Sequence, residues 1–345
     1  MRLTRRMRVL LAVTWAFVVL GTLGYLAQRI TTRASVLAVA REAKRTCKPN
    51  PRAFVDDGRL HHTLPPCAVF VDREMVADGG LEDLEYEILV RVNSLGFRNQ
   101  EYTLEKPPTT TRVVILGDSF GYGLGLPLER TFYKLLEKKL QAQTSRQVEV
   151  WSVSVVSWST LVQANLAEDH LAEMAPDVVL LLFDDSDFYD NAAYREELAG
   201  RERFTPDPAG MDGHWRRRER WISHVRGTDG GDAGPAAIDD VQDLAAAQIL
   251  RIHRVAQRLG KPFTVVTYPY PEFPPEWETD WMARLYARLR PAGVPVLSLF
   301  DAFPMESRRE DYFPRNRHWN ERGSEVAAER LYIHLTRAHP ALFPR

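Results

Sequence analysis

The chain has 345 residues, of which 45% are hydrophobic, enough for one large globular domain with an appended region. Its 45 Lys and Arg residues nearly balance its 46 Asp and Glu residues, which leaves a formal net charge of −1. Nucleic-acid binding normally requires a strongly basic surface, so we do not expect a nucleic-acid partner.

The first thirty residues predict a membrane anchor. Residues 9–27 carry no charge, and as a helix they would span most of the hydrocarbon core of a bilayer. Arginines are denser before this segment than after it, which predicts a cytoplasmic segment at residues 1–8 and an extracytoplasmic remainder, periplasmic or at the cell surface. A cleaved signal peptide is the alternative, but its apolar stretch is usually shorter and no small-residue cleavage site follows directly.

Residues 28–106 are predicted to form a membrane-proximal region. An Ala/Arg-rich helical stalk comes first, and a short strand around residues 87–92 comes near the end. Cys47 and Cys67 bracket a poorly periodic segment, and an oxidising compartment favours a disulfide between them. Such a bond would close a short loop and contribute about 3 kcal/mol. Neither cysteine has the spacing of a metal site, and we expect neither metal nor cofactor.

Strands and helices alternate over residues 107–340. This alternation predicts a three-layer α/β/α domain with a five-stranded parallel sheet. A charged, Gly-rich stretch at about 190–237 interrupts it and is predicted to be an insertion, either a lid or a mobile surface loop. The predicted strands are 113–119, 148–153, 178–183, 263–267 and 294–299, and the predicted helices are 131–140, 159–174, 243–259, 281–289 and 321–335.

The first of these strands ends in Gly117-Asp118-Ser119-Phe120. An unbroken apolar run is typical of a buried parallel strand, and open α/β sheets place their chemistry at the carboxyl ends of such strands. Ser119 is therefore a candidate nucleophile. The block resembles the nucleophile block of the GDSL/SGNH hydrolases, which are esterases and acyltransferases with a flavodoxin-like sheet. The resemblance covers roughly residues 93–335.

His318 is the candidate general base. It lies in the loop between the last predicted strand and the last helix, for which Asn320 is a natural N-cap. In a parallel sheet this loop returns to the edge where Ser119 emerges, and the resemblance implies the role of base for His318. His214 is the rival, because its Asp-Gly-His-Trp string matches the family pattern more closely, but it lies within the predicted insertion.

The position of the family's acid falls on Asn316, which carries no charge. An Asn carbonyl holds a neutral imidazole by accepting from Nδ1–H, but it does not balance an imidazolium. The same exchange in a serine-protease triad lowers kcat about 10⁴-fold. We therefore expect Asn316 to limit the rate, unless a Ser–His dyad suffices or a nearby carboxylate such as Asp311 serves instead.

The resemblance also implies an oxyanion hole built from Ser119, Ser154 and Ser186. The last two stand where the family has Gly and Asn, and one lost side-chain donor costs about 2.7–4 kcal/mol of transition-state stabilisation. Asp184 and Asp185 crowd the same strand end, where negative charge would oppose a developing oxyanion, and a metal there lacks a matching ligand set. The supporting residues expected from the resemblance are Gly117, Asp118, Asp187 and Trp319.

Together these patterns predict a membrane-anchored serine esterase that acts on envelope acyl esters, with an acylated carbohydrate, a lipid or another ester as substrate. A polysaccharide O-acetyltransferase would use the same residues, with a sugar hydroxyl in place of water. The other class of function is a catalytically inactive descendant that binds a glycan or a partner protein. The sequence does not specify an oligomeric state.

Overall fold

The structure is a computed structural model that describes residues 54–78, 81–200, 216–223, 225, 235–272 and 278–344. The predicted anchor at 9–27, the stalk that follows it, Cys47 and His214 lie outside these residues. Within the described ranges, no helix combines the length and the apolar character that crossing a membrane requires.

Two antiparallel hairpins precede the main sheet. Strand β1 (Val55–Asp57) pairs with β2 (His61–Thr63), and the longer β3 (Val69–Asp78) pairs with β4 (Leu81–Arg91). Cys67, between the hairpins, is disulfide-bonded. Contacts unite the hairpins with the main sheet in one compact unit.

The long hairpin contains a β-bulge. Glu74 is opposite Tyr86, whereas the next residue, Met75, is opposite Leu84. Glu85 is thus an extra residue on β4 without a partner in the register. A bulge bends its strand and redirects the side chain at that point, and here that side chain is a carboxylate.

The main sheet confirms the predicted parallel topology. Every neighbouring pair of its strands is parallel, and the spatial order is β6-β5-β7-β8-β9. Counted within this sheet the order is 2-1-3-4-5, the doubly wound order of flavodoxin-like folds, in which ligands bind at the carboxyl ends of the first and third strands. The strands are β5 (Thr110–Gly117), β6 (Gln147–Ser154), β7 (Val178–Phe183), β8 (Phe263–Thr267) and β9 (Val296–Ser298).

Helices cover both faces of the sheet, as predicted. Along the fully buried β5, Val113 and Ile115 pack with α2 and α8, whereas Val114 and Leu116 pack with α3 and α6. Full burial of each such side chain contributes about 1.5–3 kcal/mol. The main described helices are α1 (Ser119–Tyr122), α2 (Phe132–Gln143), α3 (Thr160–His170), α4 (Ser186–Gly200), α5 (216–223), α6 (Pro235–Arg258), α7 (Ala283–Leu289) and α8 (Glu321–Ala338).

Part of the predicted insertion is helical. Helix α4 extends into it, and α5 lies wholly within it. Two ion pairs connect α5 to α4: Arg217 to Glu197 at 3.4 Å and Arg218 to Asp190 at 3.3 Å. Both carboxylates are buried, so α5 is held against the main domain at the edge where β7 ends.

Candidate active site

The nucleophile candidate stands on a short turn at the end of β5. After Gly117 the chain passes directly into α1, whose first residue is Ser119. The carboxyl group of Asp118 caps this helix by accepting a hydrogen bond of 2.9 Å from the backbone N–H of Phe120. Capping fixes the direction in which α1 leaves the strand, and therefore fixes where the Ser119 hydroxyl emerges.

Close packing beneath α1 explains the glycines of this turn. A Cβ atom at Gly121 would lie 2.3 Å from Oγ of Ser154, and one at Gly117 would lie 3.0 Å from the same atom. Ser154 is 1% exposed, and its hydroxyl is hydrogen-bonded to that of Ser152 at 3.0 Å. The side chain of Ser154 therefore packs under the nucleophile turn.

The base candidate lies in a loop before α8 that is held by its own backbone hydrogen bonds. A β-bridge joins Tyr312 to Trp319, and the backbone N–H of Phe313 donates to the carbonyl of His318 at 2.8 Å. Asn320 then caps α8 by accepting from Gly323 N–H, as its sequence position predicts. The loop is therefore fixed at both ends.

Aromatic packing locks the imidazole from below. Trp319 is 3% exposed, and its ring lies 5.0 Å from the ring of Phe120 and 4.8 Å from that of Tyr268. Phe120 in turn lies 4.6 Å from the His318 ring. The residue after the nucleophile and the residue after the base thus belong to one aromatic cluster, which joins the two loops.

The structure brings Ser119, His318 and Asn316 together in hydrogen-bonding range. His318 Nε2 lies 2.7 Å from Ser119 Oγ. Its Nδ1 lies 2.5 Å from Oδ1 of Asn316 and 3.0 Å from the backbone oxygen of the same residue. Because Nδ1 faces two carbonyl oxygens, Nδ1 carries the proton of the neutral ring, and Nε2 accepts the hydrogen bond from the serine hydroxyl.

The surroundings of His318 favour its neutral form. Burial lowers the pKa of His318 to about 4, and the positive charge of Arg218 contributes in the same direction, while the Asn316 backbone oxygen opposes them. At neutral pH the imidazole is therefore unprotonated and free to accept a proton. The low basicity that burial gives the ring reduces the driving force for taking that proton, and no charge at position 316 supports the imidazolium.

Asp311 does not replace the missing acid. Its carboxylate lies 3.0 Å from Nε of Arg322, and its backbone oxygen accepts from Asn320 N–H. The acceptors in contact with Nδ1 of His318 are the two oxygens of Asn316.

A cluster of buried aspartates lies at the ends of β5 and β7. Burial raises the pKa of Asp118, and the negative charge of the neighbouring Asp184 raises it further. Burial also raises the pKa of Asp184 and of Asp187, and each neighbouring carboxylate adds to the effect on Asp118 and Asp187. The cluster is thus less negative than its composition suggests. Among the described residues, no group of three His, Cys, Asp or Glu side chains is arranged to hold a metal ion.

Ser186 and Asp187, the predicted site residues that follow β7, are hydrogen-bonded to neighbouring segments of the protein. Ser186 donates its backbone N–H to a carboxylate oxygen of Asp184 at 2.7 Å. Asp187 accepts from the backbone N–H of Thr160 at 2.6 Å and from that of Asp184 at 3.2 Å, so it ties the end of β7 to the start of α3. Participation of Ser154 and Ser186 in an oxyanion hole stays a prediction.

Two residues near the site are missing from the predicted set. Arg218 affects His318 through its charge, and the run of arginines at 216–220 is a signal that could have drawn attention to it. Glu85 accepts from the backbone N–H groups of Arg315 and Asn316. No local pattern marks Glu85, because the contact joins segments about 230 residues apart.

No protein-family model and no curated protein sequence matches the chain. Among solved structures, it is similar to a lipase/acylhydrolase from Enterococcus faecalis, with 13% identity, a TM-score of 0.43, and coverage of 66% of this chain and 96% of the other. The esterase EstA from Pseudoalteromonas sp. gives 13% identity, a TM-score of 0.44 and coverage of 66% and 98%. An acetyl xylan esterase, AlAXEase, gives 13% identity, a TM-score of 0.42, and coverage of 65% of this chain and 99% of the other. Similarities this distant do not establish a family or an activity.

Proposed function

We propose that this chain is a serine hydrolase of the GDSL/SGNH type that cleaves carboxylic esters. The observation that carries the proposal is the 2.7 Å contact between Ser119 Oγ and His318 Nε2, at the edge of a doubly wound sheet. A hydroxyl paired with a neutral imidazole, whose other nitrogen is held by an acceptor, has the arrangement of an activated nucleophile.

In the proposed reaction, Ser119 Oγ attacks the acyl carbon while His318 Nε2 takes the hydroxyl proton. The resulting imidazolium returns that proton to the leaving alcohol as the carbon–oxygen bond breaks, and an acyl-serine forms. Water then attacks the acyl-serine, with His318 again as base, which releases the carboxylic acid and restores the serine. Asn316 holds the ring in the required tautomer throughout, but supplies no charge to the imidazolium.

Labelling with a fluorophosphonate tests this proposal, because the reagent reacts only with an activated serine. We expect wild-type protein to be labelled and to hydrolyse an activated acetyl ester, and Ser119→Ala to do neither. Ser94→Ala is the matched control, since that hydroxyl is on the exposed surface and donates to Glu101. Labelling that persists in Ser119→Ala, or none in the wild type, contradicts the proposal.

We also propose that the enzyme acts outside the cytoplasm, tethered by residues 9–27. The uncharged run and the arginines before it support this location, as does the disulfide at Cys67, because such bonds persist in oxidising compartments. Reporter proteins fused to the carboxyl terminus test this orientation. Activity with a cytoplasmic reporter only would exclude it.

A further inference from the structure

We propose that Glu85 is a positioning residue for the candidate catalytic pair, and that it acts through the backbone on which Asn316 and His318 stand. The inference rests on the proposed function and adds a residue to its machinery. It concerns a carboxylate that is hydrogen-bonded to the backbone of the loop, and not to the imidazole.

The first support is the hydrogen bonding of Glu85. One carboxylate oxygen accepts from the backbone N–H of Arg315 at 2.8 Å, and the other accepts from that of Asn316 at 2.9 Å. Two charge-assisted hydrogen bonds from one carboxylate to adjacent amides fix both the position and the orientation of that segment. The same residue, Asn316, presents both of its oxygens to Nδ1 of His318.

The second support is the β-bulge. Glu85 is the residue of β4 that has no partner on β3, because Glu74 faces Tyr86 and Met75 faces Leu84. An unbroken ladder would have given Glu85 a cross-strand partner. Bulges occur where a strand must redirect a side chain, and this one delivers a carboxylate to the loop that carries the base.

The third support is the packing around this contact. The ring of Tyr86, next to Glu85, lies 5.8 Å from the ring of Phe313 in the base loop. Both rings close on Gly125, where a Cβ would lie 2.7 Å from Phe313 and 3.0 Å from Tyr86. The hairpin, the segment after α1 and the base loop therefore meet at one point, so the position of Glu85 relative to the loop is fixed by apolar contacts as well.

These contacts form a continuous chain of hydrogen bonds from Glu85 to Ser119. The carboxylate holds the Asn316 amide, the oxygens of Asn316 hold Nδ1–H of His318, and Nε2 faces the hydroxyl. Arg317 gives a reason why such a hold is needed: its backbone φ is 67°, a conformation that residues other than glycine seldom adopt. Without the anchor at residues 315 and 316, relaxation of this strained turn would move the imidazole.

The test compares Glu85→Ala with Glu87→Ala, a matched control on the same strand whose carboxylate pairs with Arg73 at 3.2 Å instead of the base loop. We expect Glu85→Ala to reduce kcat and the rate of fluorophosphonate labelling by about 10- to 100-fold, the effect of displacing a catalytic group by about 1 Å. KM should stay within about twofold, because a residue that only positions the base affects the chemical step and not the binding of the ground-state substrate. The control should match the wild type.

A second readout does not depend on activity. The Nδ1–H proton of His318, observed by NMR and assigned by its absence from His318→Gln, should be sharp in the wild type and in Glu87→Ala, and broadened or lost in Glu85→Ala. If the wild type neither labels nor hydrolyses ester, the proposed function is wrong, and this resonance still decides the role of Glu85.

Two results would overturn the positioning role. One is a folded Glu85→Ala whose labelling rate, kcat and His318 resonance all equal those of the wild type. The other applies if Glu85→Ala does not fold. Glu85→Gln keeps an acceptor oxygen but loses the charge, and it should then be labelled at least threefold more slowly than the wild type. Labelling of Glu85→Gln at the wild-type rate refutes the inference.

Discussion

Replacing Asn316 by Asp should restore the charge that the candidate site lacks. Oδ1 of Asn316 already lies 2.5 Å from Nδ1 of His318, so the substitution needs no movement of the loop. A carboxylate there would face the imidazolium that forms during acyl transfer. The centres of the two charges would be about 4 Å apart, which corresponds to about 4 kcal/mol at an effective dielectric constant of about 20.

Two effects reduce that gain. A carboxylate at position 316 must lose part of its hydration, and it lies beside the negative charge of Glu85, which accepts from the Asn316 N–H at 2.9 Å. We therefore expect Asn316→Asp to raise kcat by about 10- to 100-fold, which corresponds to about 1.4–2.7 kcal/mol. The new charge should also raise the pKa of His318, so the acid limb of the kcat/KM profile should move to higher pH.

The assay is hydrolysis of an activated acetyl ester, with kcat and KM measured across pH. The double variant Ser119→Ala/Asn316→Asp serves as the control and should be inactive, which assigns any gain to the serine pathway. A folded Asn316→Asp with unchanged or lower kcat would show that the missing charge does not limit the rate.

Two further predictions address the electrostatics and the packing of the site. Arg218→Gln removes a positive charge that lowers the pKa of His318, so that pKa should rise and the acid limb of kcat/KM should move to higher pH. An acid limb that does not move when kcat/KM is measured across pH would contradict this prediction. Gly121→Ala forces a Cβ to within 2.3 Å of Ser154 Oγ and should reduce the free energy of unfolding by about 1–3 kcal/mol. Urea unfolding measures the loss against Gly58→Ala, which has nothing within 4 Å and should change it by less than about 0.5 kcal/mol.

The sheet could be predicted because its strands are short apolar runs separated by turn and helix signals. The meeting of Ser119 and His318 followed from topology, since the carboxyl ends of parallel strands share one edge. The placement of Asn316 against Nδ1 followed from the resemblance to the GDSL/SGNH hydrolases, which puts the family's acid at this position. The sheet and the meeting of Ser119 with His318 use local patterns and one general rule about parallel sheets.

The long β3–β4 hairpin could not be predicted in the same way. Residues 72–74 of β3 are Asp, Arg and Glu, which interrupt the apolar pattern of a strand, so only residues 87–92 stood out. Helix α4 could not be predicted for a similar reason. Its acidic residues are typical of a solvated loop, and their ion-pair partners on α5 are known only from the structure. The contact between Glu85 and Asn316 depends on tertiary packing alone.

The buried acids around the nucleophile turn have a consequence for the whole molecule. Because burial raises the pKa of Asp118, Asp184 and Asp187, the native protein keeps protons that the unfolded chain gives up at lower pH. Folding is thus coupled to proton uptake at these groups. Their contribution to the free energy of unfolding is greatest in acid and falls as pH rises from about 4 through their native pKa values. At neutral pH, the burial of these acids around the turn therefore lowers the free energy of unfolding.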